Sequence, residues 1–529
     1  MRSFHFPGRS PVYATKAVAA TSHPLASATA LDVMKRGGNA VDATIAAAAV
    51  LAVVEHPMTG IGGDCFAMIA KPGAAPIALN ASGRAPAAAT AERYRGFGFT
   101  SIPMQSPHAV TVPGAIDGWA TLLADHGTMG FAELLAPAIS YARDGFPVAP
   151  RVSVDWTGAV TKLKAHAGAA RNLLVDGDRA PRVGERFAMP ALARTLEAIA
   201  RDGRDGFYRG EVAEDIVATL KALGGVHTLE DFAAQKASYV DPISVDYKGV
   251  ELFELPPNNH GIVALILLKM LARLGKLSDD PTAPERYHVM IEAARLAYAM
   301  RDAFVADPAM AEVDVAHMLA DRTIDTLVSR IDRRRRTPDL GPVPRPTGSD
   351  TIYLSVIDPG GMEVSFINSL FSDFGSGICA ERSGVTLHNR GQGFVLDPAH
   401  PNCIAPGKRP MHTLVPALTM RDGKPDMAFG VMGAAFQPMG HVYVVTNMED
   451  YGLDPQEALD CSRVFFEGEE VQVEDSLPTA VRERLAAFGH TVGVRPLPWG
   501  GGQIVRFDRA NGCLVAASDA RKDGCAIGF

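Results

Sequence analysis

Covalent chemistry is suggested at one place in the 529 residues. Thr351 follows Asp350 at the end of a stretch rich in proline and arginine, and it opens the β-rich run Thr351-Ile-Tyr-Leu-Ser-Val-Ile357. The ordinary reading is a β-branched residue in a strand. The chemical reading is a nucleophile that processes its own chain. Its hydroxyl would attack the Asp350 carbonyl, and an N→O acyl shift would break the peptide and leave Thr351 with a free α-amino group. A threonine hydroxyl is a weak nucleophile and needs an adjacent base. An α-amino group, with an ordinary pKa of about 8, supplies one from the same residue. Position and spacing alone leave both readings open.

Other chemistries find less support. The 15 histidines are scattered without ligand spacing, so no metal site is expected. Asp373-Phe374-Gly375 lacks the glycine-rich loop and catalytic loop of a kinase. Gly407-Lys408-Arg409 lacks the remainder of a P-loop, and neither H-E-x-x-H nor G-x-S-x-G occurs. The net charge of −8 argues against a nucleic-acid partner, and the run Arg333–Arg336, set among prolines, reads as a solvated loop. The apolar stretch Ala43–Val54 is too short to cross a bilayer, and Met1–Ala14 has no apolar leader. Six widely spaced cysteines without C-x-x-C fit a reducing compartment. The expectation is a cytoplasmic protein with no membrane partner.

The elements that must position Thr351 are legible in part. Leu25–Lys35 reads as a helix entered through Ser22-His23-Pro24 and stopped at Gly37-Gly38. Asn39 caps a second helix, Ala40–Val54, which is apolar on nearly every face and therefore buried. The turn Gly60-Ile61-Gly62-Gly63-Asp64 leads into a strand, Cys65–Ala70. Helices are expected over Phe131–Asp144, Pro190–Arg201, Gly210–Leu223, His260–Leu274 and Glu285–Phe304, with a strand at Val245–Leu255. Prolines at 338, 342, 344 and 346 oppose regular structure over 330–350. Asp358-Pro-Gly-Gly361 then separates Thr351–Ile357 from the alternating run Met362–Asn368, which is a hairpin signal. Length alone suggests about three domains.

Over Ala19–Phe529 the chain resembles the γ-glutamyltransferase family of N-terminal-nucleophile hydrolases. The resemblance is carried by Ser22-His-Pro-Leu-Ala26, Gly37-Gly-Asn-Ala-Val-Asp-Ala43, Gly60-Ile-Gly-Gly63, Val112-Pro-Gly114, Ala142-Arg-Asp-Gly145, Phe207-Tyr-Arg-Gly210, Asp241-Pro-Ile243, Pro256-Pro257 and Glu292–Tyr298, in that order. It implies an α+β fold, an αββα sandwich of two stacked sheets between helical layers. It implies cleavage between Asp350 and Thr351, giving a large subunit 1–350 and a small subunit 351–529 that stay together as one interleaved domain. It also implies Ser369 as the hydroxyl that orients Thr351, and the backbone N–H groups of Gly433 and Ala434 as the oxyanion hole. Alanine at 434 is tolerable there if its φ is negative.

The family pattern breaks around the substrate. The position of its carboxylate-binding arginine is Ser82, with Arg84 two residues on, on the same face if the segment is a strand and displaced by roughly 7 Å. The aspartate that holds the substrate ammonium is replaced by Gly393. Arg390 stands where a neutral amide is usual, His412-Thr413 replaces a serine pair, and Phe371 replaces an asparagine. The acidic partner is gone and Arg84 and Arg390 are present, so the expected pocket, with His412 and Thr413, takes an anionic group and does not demand an ammonium. This is similar to the branch containing oxamate amidohydrolase and glutaryl-type acylases. The expectation is a cofactor-free amide hydrolase or acyltransferase acting on a small anionic amide, with its own cleaved fragment as partner. The alternatives are a true γ-glutamyltransferase or glutathione hydrolase, and an uncleaved, non-catalytic binding relative.

Overall fold

The computed structural model describes residues 8–338 and 350–529. Two seven-stranded antiparallel sheets lie face to face. In spatial order the first runs Val12–Ala14, Cys513–Ser518, Gly502–Asp508, Lys424–Val431, Ala417–Arg421, Val250–Glu254, Ile243–Tyr247. The second runs Cys525–Gly528, Val18–Thr21, Asp350–Ile357, Glu363–Phe371, Asp64–Ala70, Ile77–Ala81, Ser238–Val240. Each sheet therefore interleaves strands from both sides of residue 350. Between the sheets lies an apolar layer that includes Phe66, Tyr353 and Ile367 from the second and Leu418, Ala428 and Val505 from the first. Gly430 lets the sheets approach, since a Cβ there would stand 2.5 Å from the Tyr353 ring.

Helices cover both outer faces. Pro24–Lys35, Ala40–Val54 and Ala115–His126 pack with the second sheet. Ile262–Leu274, Pro284–Phe304 and Gln437–Tyr451 pack with the first. The result is the expected αββα sandwich. Ala40–Val54 is buried along its whole length, and its small side chains allow close packing on the hairpin strands. Asn39 and Asp42 cap it reciprocally. The hairpin forms as read, over Asp350–Ile357 and Glu363–Phe371. In its turn, Asp358 Oδ1 accepts from the Gly360 and Met362 N–H groups, and Oδ2 accepts from Ala40 N–H, tying the hairpin to the helix start.

Three local readings change. The helix expected over Phe131–Asp144 divides into Phe131–Leu134 and Ala136–Asp144, because Pro137 has no N–H to continue the ladder. Val245–Leu255 is a hairpin of Ile243–Tyr247 and Val250–Glu254, joined where Lys248 and Gly249 both take positive φ (57° and 83°). The first helix is entered as read, with His23 as its cap, whose Nδ1 accepts from Leu25 N–H. Of the proline- and arginine-rich stretch, residues 339–349 lie outside the described residues. The arginine run is only partly a solvated loop. Arg333, Arg334 and Arg335 are exposed, but Arg333 donates to the Leu274 carbonyl, and the half-buried Arg336 pairs with Glu469.

Candidate active site

Thr351 lies at the start of its strand, opposite a β-bulge. Asp350 pairs with Phe371 and Ile352 with Asn368, so Ser369 and Leu370 together face Thr351. A bulge re-aims side chains, and here it brings Thr351 Oγ1 to 3.2 Å from Ser369 Oγ. Ser369 Oγ also accepts from Phe371 N–H at 2.7 Å and from Arg390 Nη2 at 3.1 Å. The Thr351 hydroxyl and two N–H donors converge on this oxygen, so it is fixed in place beside the threonine. Phe371 pays for this with a φ of +87°, rare for a bulky residue. Its ring lies 4.3 Å from the Arg390 guanidinium carbon.

Arg390 is buried, 2% exposed. Nη1 donates to Thr413 Oγ1 at 2.6 Å, while Nε has no acceptor among the described residues. No carboxylate of the described residues pairs with it directly. Burial, partly opposed by the charge of Asp64, pulls its pKa down to about 9, so it remains a cation at neutral pH. Asp64 stands directly across the sheet from Ser369. Its Oδ1 accepts from Gly83 and Gly114 N–H at 2.9 and 3.0 Å, and its Oδ2 from His412 Nε2 at 3.0 Å. Leu414 N–H donates to His412 Nδ1, which assigns the proton of this imidazole to Nε2. His388 donates from Nε2 to the Thr111 carbonyl and turns Nδ1 toward Asp64 Oδ2 at 3.6 Å. Burial pushes Asp64 up, but His388, His412 and Arg390 outweigh it and hold the carboxyl below its ordinary range. Burial, reinforced by Arg390, lowers His412 to about 3, so this imidazole is neutral.

The glycine turn makes this assembly sterically feasible. A Cβ on Gly62 would stand 2.2 Å from the Thr386 carbonyl oxygen, and one on Gly63 2.2 Å from that of Ser369. The segment carrying His388 and Arg390 and the strand carrying Ser369 therefore both close onto Gly60–Asp64.

Thr351, Ser369, Arg390 and Thr413 thus form one hydrogen-bonded chain, with His412 beside it on Asp64. Arg84 has other partners. The strand Ile77–Ala81 ends before Ser82, so the alternation that would carry Arg84 onto the face of Ser82 does not extend that far. Its Nη1 donates to the Gly407 carbonyl at 3.0 Å and lies 3.9 Å from Asp307. Gly433 and Ala434 begin the turn between the strand Lys424–Val431 and the helix Gln437–Tyr451. Neither N–H has an acceptor among the described residues, as at the first positions of a helix. Tyr353, two residues after Thr351, packs on Gly430, three residues before Gly433. Ala434 has φ +46°, the opposite of the sign expected for a tolerable alanine; the turn holds it in the left-handed region. Asp350 occupies the first position of its strand, joined to Thr351.

Sequence reading missed Asp64 and His388. Asp64 was visible only as the end of a glycine turn, and its partners come from positions 83, 114, 388 and 412. One grouping of metal-ligand types occurs among the described residues, His288, Glu292 and His490. Hydrogen bonds already occupy it: His288 Nδ1 to His490 Nε2 at 2.8 Å, His288 Nε2 to the Asp332 carbonyl at 2.8 Å, and Thr337 N–H to Glu292 at 2.7 Å. It fastens the chain just before residue 338. No helix of the described residues is long and apolar enough to cross a membrane.

The model of the γ-glutamyltranspeptidase family matches residues 26–529. An oxamate amidohydrolase proenzyme of Klebsiella pneumoniae is 37% identical, over 97% of this chain and 99% of its own. A glutathione hydrolase-like proenzyme of Bacillus subtilis is 35% identical, over 98% and 99%. The crystal structure of a cephalosporin acylase from Bacillus halodurans superposes with a TM-score of 0.92 at 37% identity, over 100% of this chain and 99% of that one. The chain belongs to the γ-glutamyltranspeptidase family, and is an amide-bond hydrolase with the N-terminal-nucleophile fold.

Proposed function

We propose that the chain is the precursor of a threonine amide hydrolase, which cuts itself between Asp350 and Thr351 and then hydrolyses a small amide with an anionic acyl group. Thr351 Oγ attacks the Asp350 carbonyl, the C–N bond breaks, and water hydrolyses the resulting ester. The products are an Asp350 carboxylate and a free Thr351 amine. In turnover, Oγ attacks the substrate carbonyl while the amine takes the hydroxyl proton and passes it to the leaving nitrogen. Water then releases the acid. The N–H groups of Gly433 and Ala434 are the oxyanion donors of this reading, worth roughly 3–4 kcal/mol each where such donors have been removed.

The observation that carries the proposal is the hydrogen-bonded chain from Thr351 through Ser369 to a buried Arg390 whose Nε has no acceptor among the described residues. A carboxylate on the acyl group would give that cation a charge-assisted partner. The name of the oxamate-hydrolysing relative supports a small anionic amide, and the proenzyme names support processing. Since both sheets interleave strands from either side of residue 350, the fragments would remain a heterodimer. Six free thiols favour the reducing cytoplasm as its compartment.

Mass spectrometry of the purified protein tests the cleavage. Fragments of about 37 and 19 kDa are expected from the 56.1 kDa chain. Thr351→Ala should stay intact; cleavage of that variant at the same bond would refute the assignment. The glutathione hydrolase-like relative favours a second reading, γ-glutamyl hydrolysis or transfer. Activity on γ-glutamyl-p-nitroanilide, with none on oxamate or glutaryl-p-nitroanilide, would decide for it.

A further inference from the structure

We infer that Asp64, acting through His412, is the positioning residue for Arg390, and so sets how tightly the site holds an anionic acyl group. The inference rests on Arg390 being the anion contact proposed above. Nothing in the family match or the relatives' names assigns a role to Asp64.

The geometry points to it in three steps. Asp64 is buried and fixed in position by the Gly83 and Gly114 N–H groups. It fixes His412, whose two ring nitrogens are both committed, Nε2 to Asp64 and Nδ1 to Leu414 N–H. The next residue, Thr413, offers its hydroxyl oxygen to Arg390 Nη1 at 2.6 Å. Locking the imidazole locks the Thr413 backbone, and this directs one arm of the guanidinium. The other arm is directed by Ser369, the sheet partner of Asp64. One residue thus adjoins both hydroxyls that aim Arg390, its carboxylate through His412 to Thr413 and its backbone as the sheet partner of Ser369.

Charge leads to the same residue. Arg390 has no carboxylate in direct contact among the described residues, and a buried cation without a counter-charge is expensive. Asp64 is the anion whose field offsets that burial. The pair balances in charge while leaving the Nε edge of the guanidinium without an acceptor among the described residues. A neutral residue at 64 would leave Arg390 buried with an uncompensated charge and a Thr413 contact of lower definition.

The experiment compares glutaryl-p-nitroanilide with butyryl-p-nitroanilide, which differ by a carboxylate, in the processed enzyme. Arg390→Met should lower the ratio of kcat/KM values, glutaryl over butyryl, by tenfold or more. Asp64→Asn should also lower that ratio at least fivefold, chiefly through KM for the glutaryl substrate. The double variant should be no worse in this ratio than Arg390→Met alone. Asp64→Glu should recover less than Asp64 itself but more than Asp64→Asn. If Arg390→Met leaves the ratio unchanged, the anion-contact reading fails whatever Asp64 does. If Arg390→Met lowers it and Asp64→Asn does not, this inference fails. Should Asp64→Asn not fold, His412→Phe replaces it, since the phenyl ring fills the space but cannot bond Asp64; an unchanged ratio in that variant equally overturns the inference.

Discussion

A buried arginine beside a threonine hydroxyl is a costly arrangement, so its details decide what it can do. Arg390 spends one N–H on Thr413 and one on Ser369, a fork that lysine cannot reproduce. Arg390→Lys is therefore expected to keep the charge yet lose about 1.5–3 kcal/mol of anion binding. Steady-state kinetics on the glutaryl substrate would show this as a tenfold or larger rise in KM. At Ala434 the expectation runs the other way. A non-glycine residue at φ +46° costs about 1–2 kcal/mol, while glycine costs about 0.5–1 kcal/mol in chain entropy. Ala434→Gly should gain up to about 1 kcal/mol, read from chemical denaturation of the uncleaved Thr351→Ala background. The residue types at this site were readable in the sequence where they lie on one stretch, as with Thr351 and Ser369. They were not readable where the partners arrive from distant segments. Asp64 is 324 and 348 residues from its two imidazoles, and no local pattern announces such a meeting. The strand before Arg84 ends at Ala81, three residues short of it, so strand alternation does not set the face that Arg84 occupies.

Elements with a strong local signal came through with their boundaries nearly intact. The Asn39–Asp42 capping box and an unbroken apolar run define Ala40–Val54, and Asp358-Pro-Gly-Gly361 defines the hairpin turn. Signals that needed tertiary knowledge did not. The bulge opposite Thr351 and the positive φ of Phe371 have no sequence signature, since both are imposed by the segments that close on the glycine turn. That turn is itself open to test. A Cβ on Gly63 would meet the Ser369 carbonyl oxygen at 2.2 Å, an atom belonging to a paired strand and unable to yield cheaply. Gly63→Ala should cost at least 1–3 kcal/mol and displace Ser369 from Thr351. Slow or absent appearance of the two fragments on a denaturing gel is the expected outcome. Processing at the wild-type rate would show that the position of Ser369 does not matter to cleavage.

At the scale of the whole molecule, the large buried interior determines the response to pH. Burial is the first cause at each of five histidines, pushing His23, His56 and His227 to about 4 and His412 and His490 to about 3. A histidine with a depressed pKa contributes stability that is present above its unfolded value near 6.5 and is lost as pH falls toward its folded value. At about 1.4 kcal/mol per pH unit, five such groups can exhaust the 5–15 kcal/mol of an ordinary fold before all have titrated. Glu55 has the opposite sign. Burial raises it to about 8 against the pull of Lys522 and of a hydrogen bond from Ser22, so its contribution is full below about 4.5 and is lost as pH rises to about 8. The histidines outnumber it, so the melting temperature should fall steeply from pH 6.5 to 4. Glu55→Gln isolates the smaller term, because glutamine accepts the Ser22 hydroxyl as a protonated glutamate would, without carrying a charge at high pH. The variant should melt above the parent at pH 8 and close to it at pH 5. The same difference at both pH values would mean that Glu55 is not protonated in the folded chain at pH 5, and that Lys522 rather than a proton balances it.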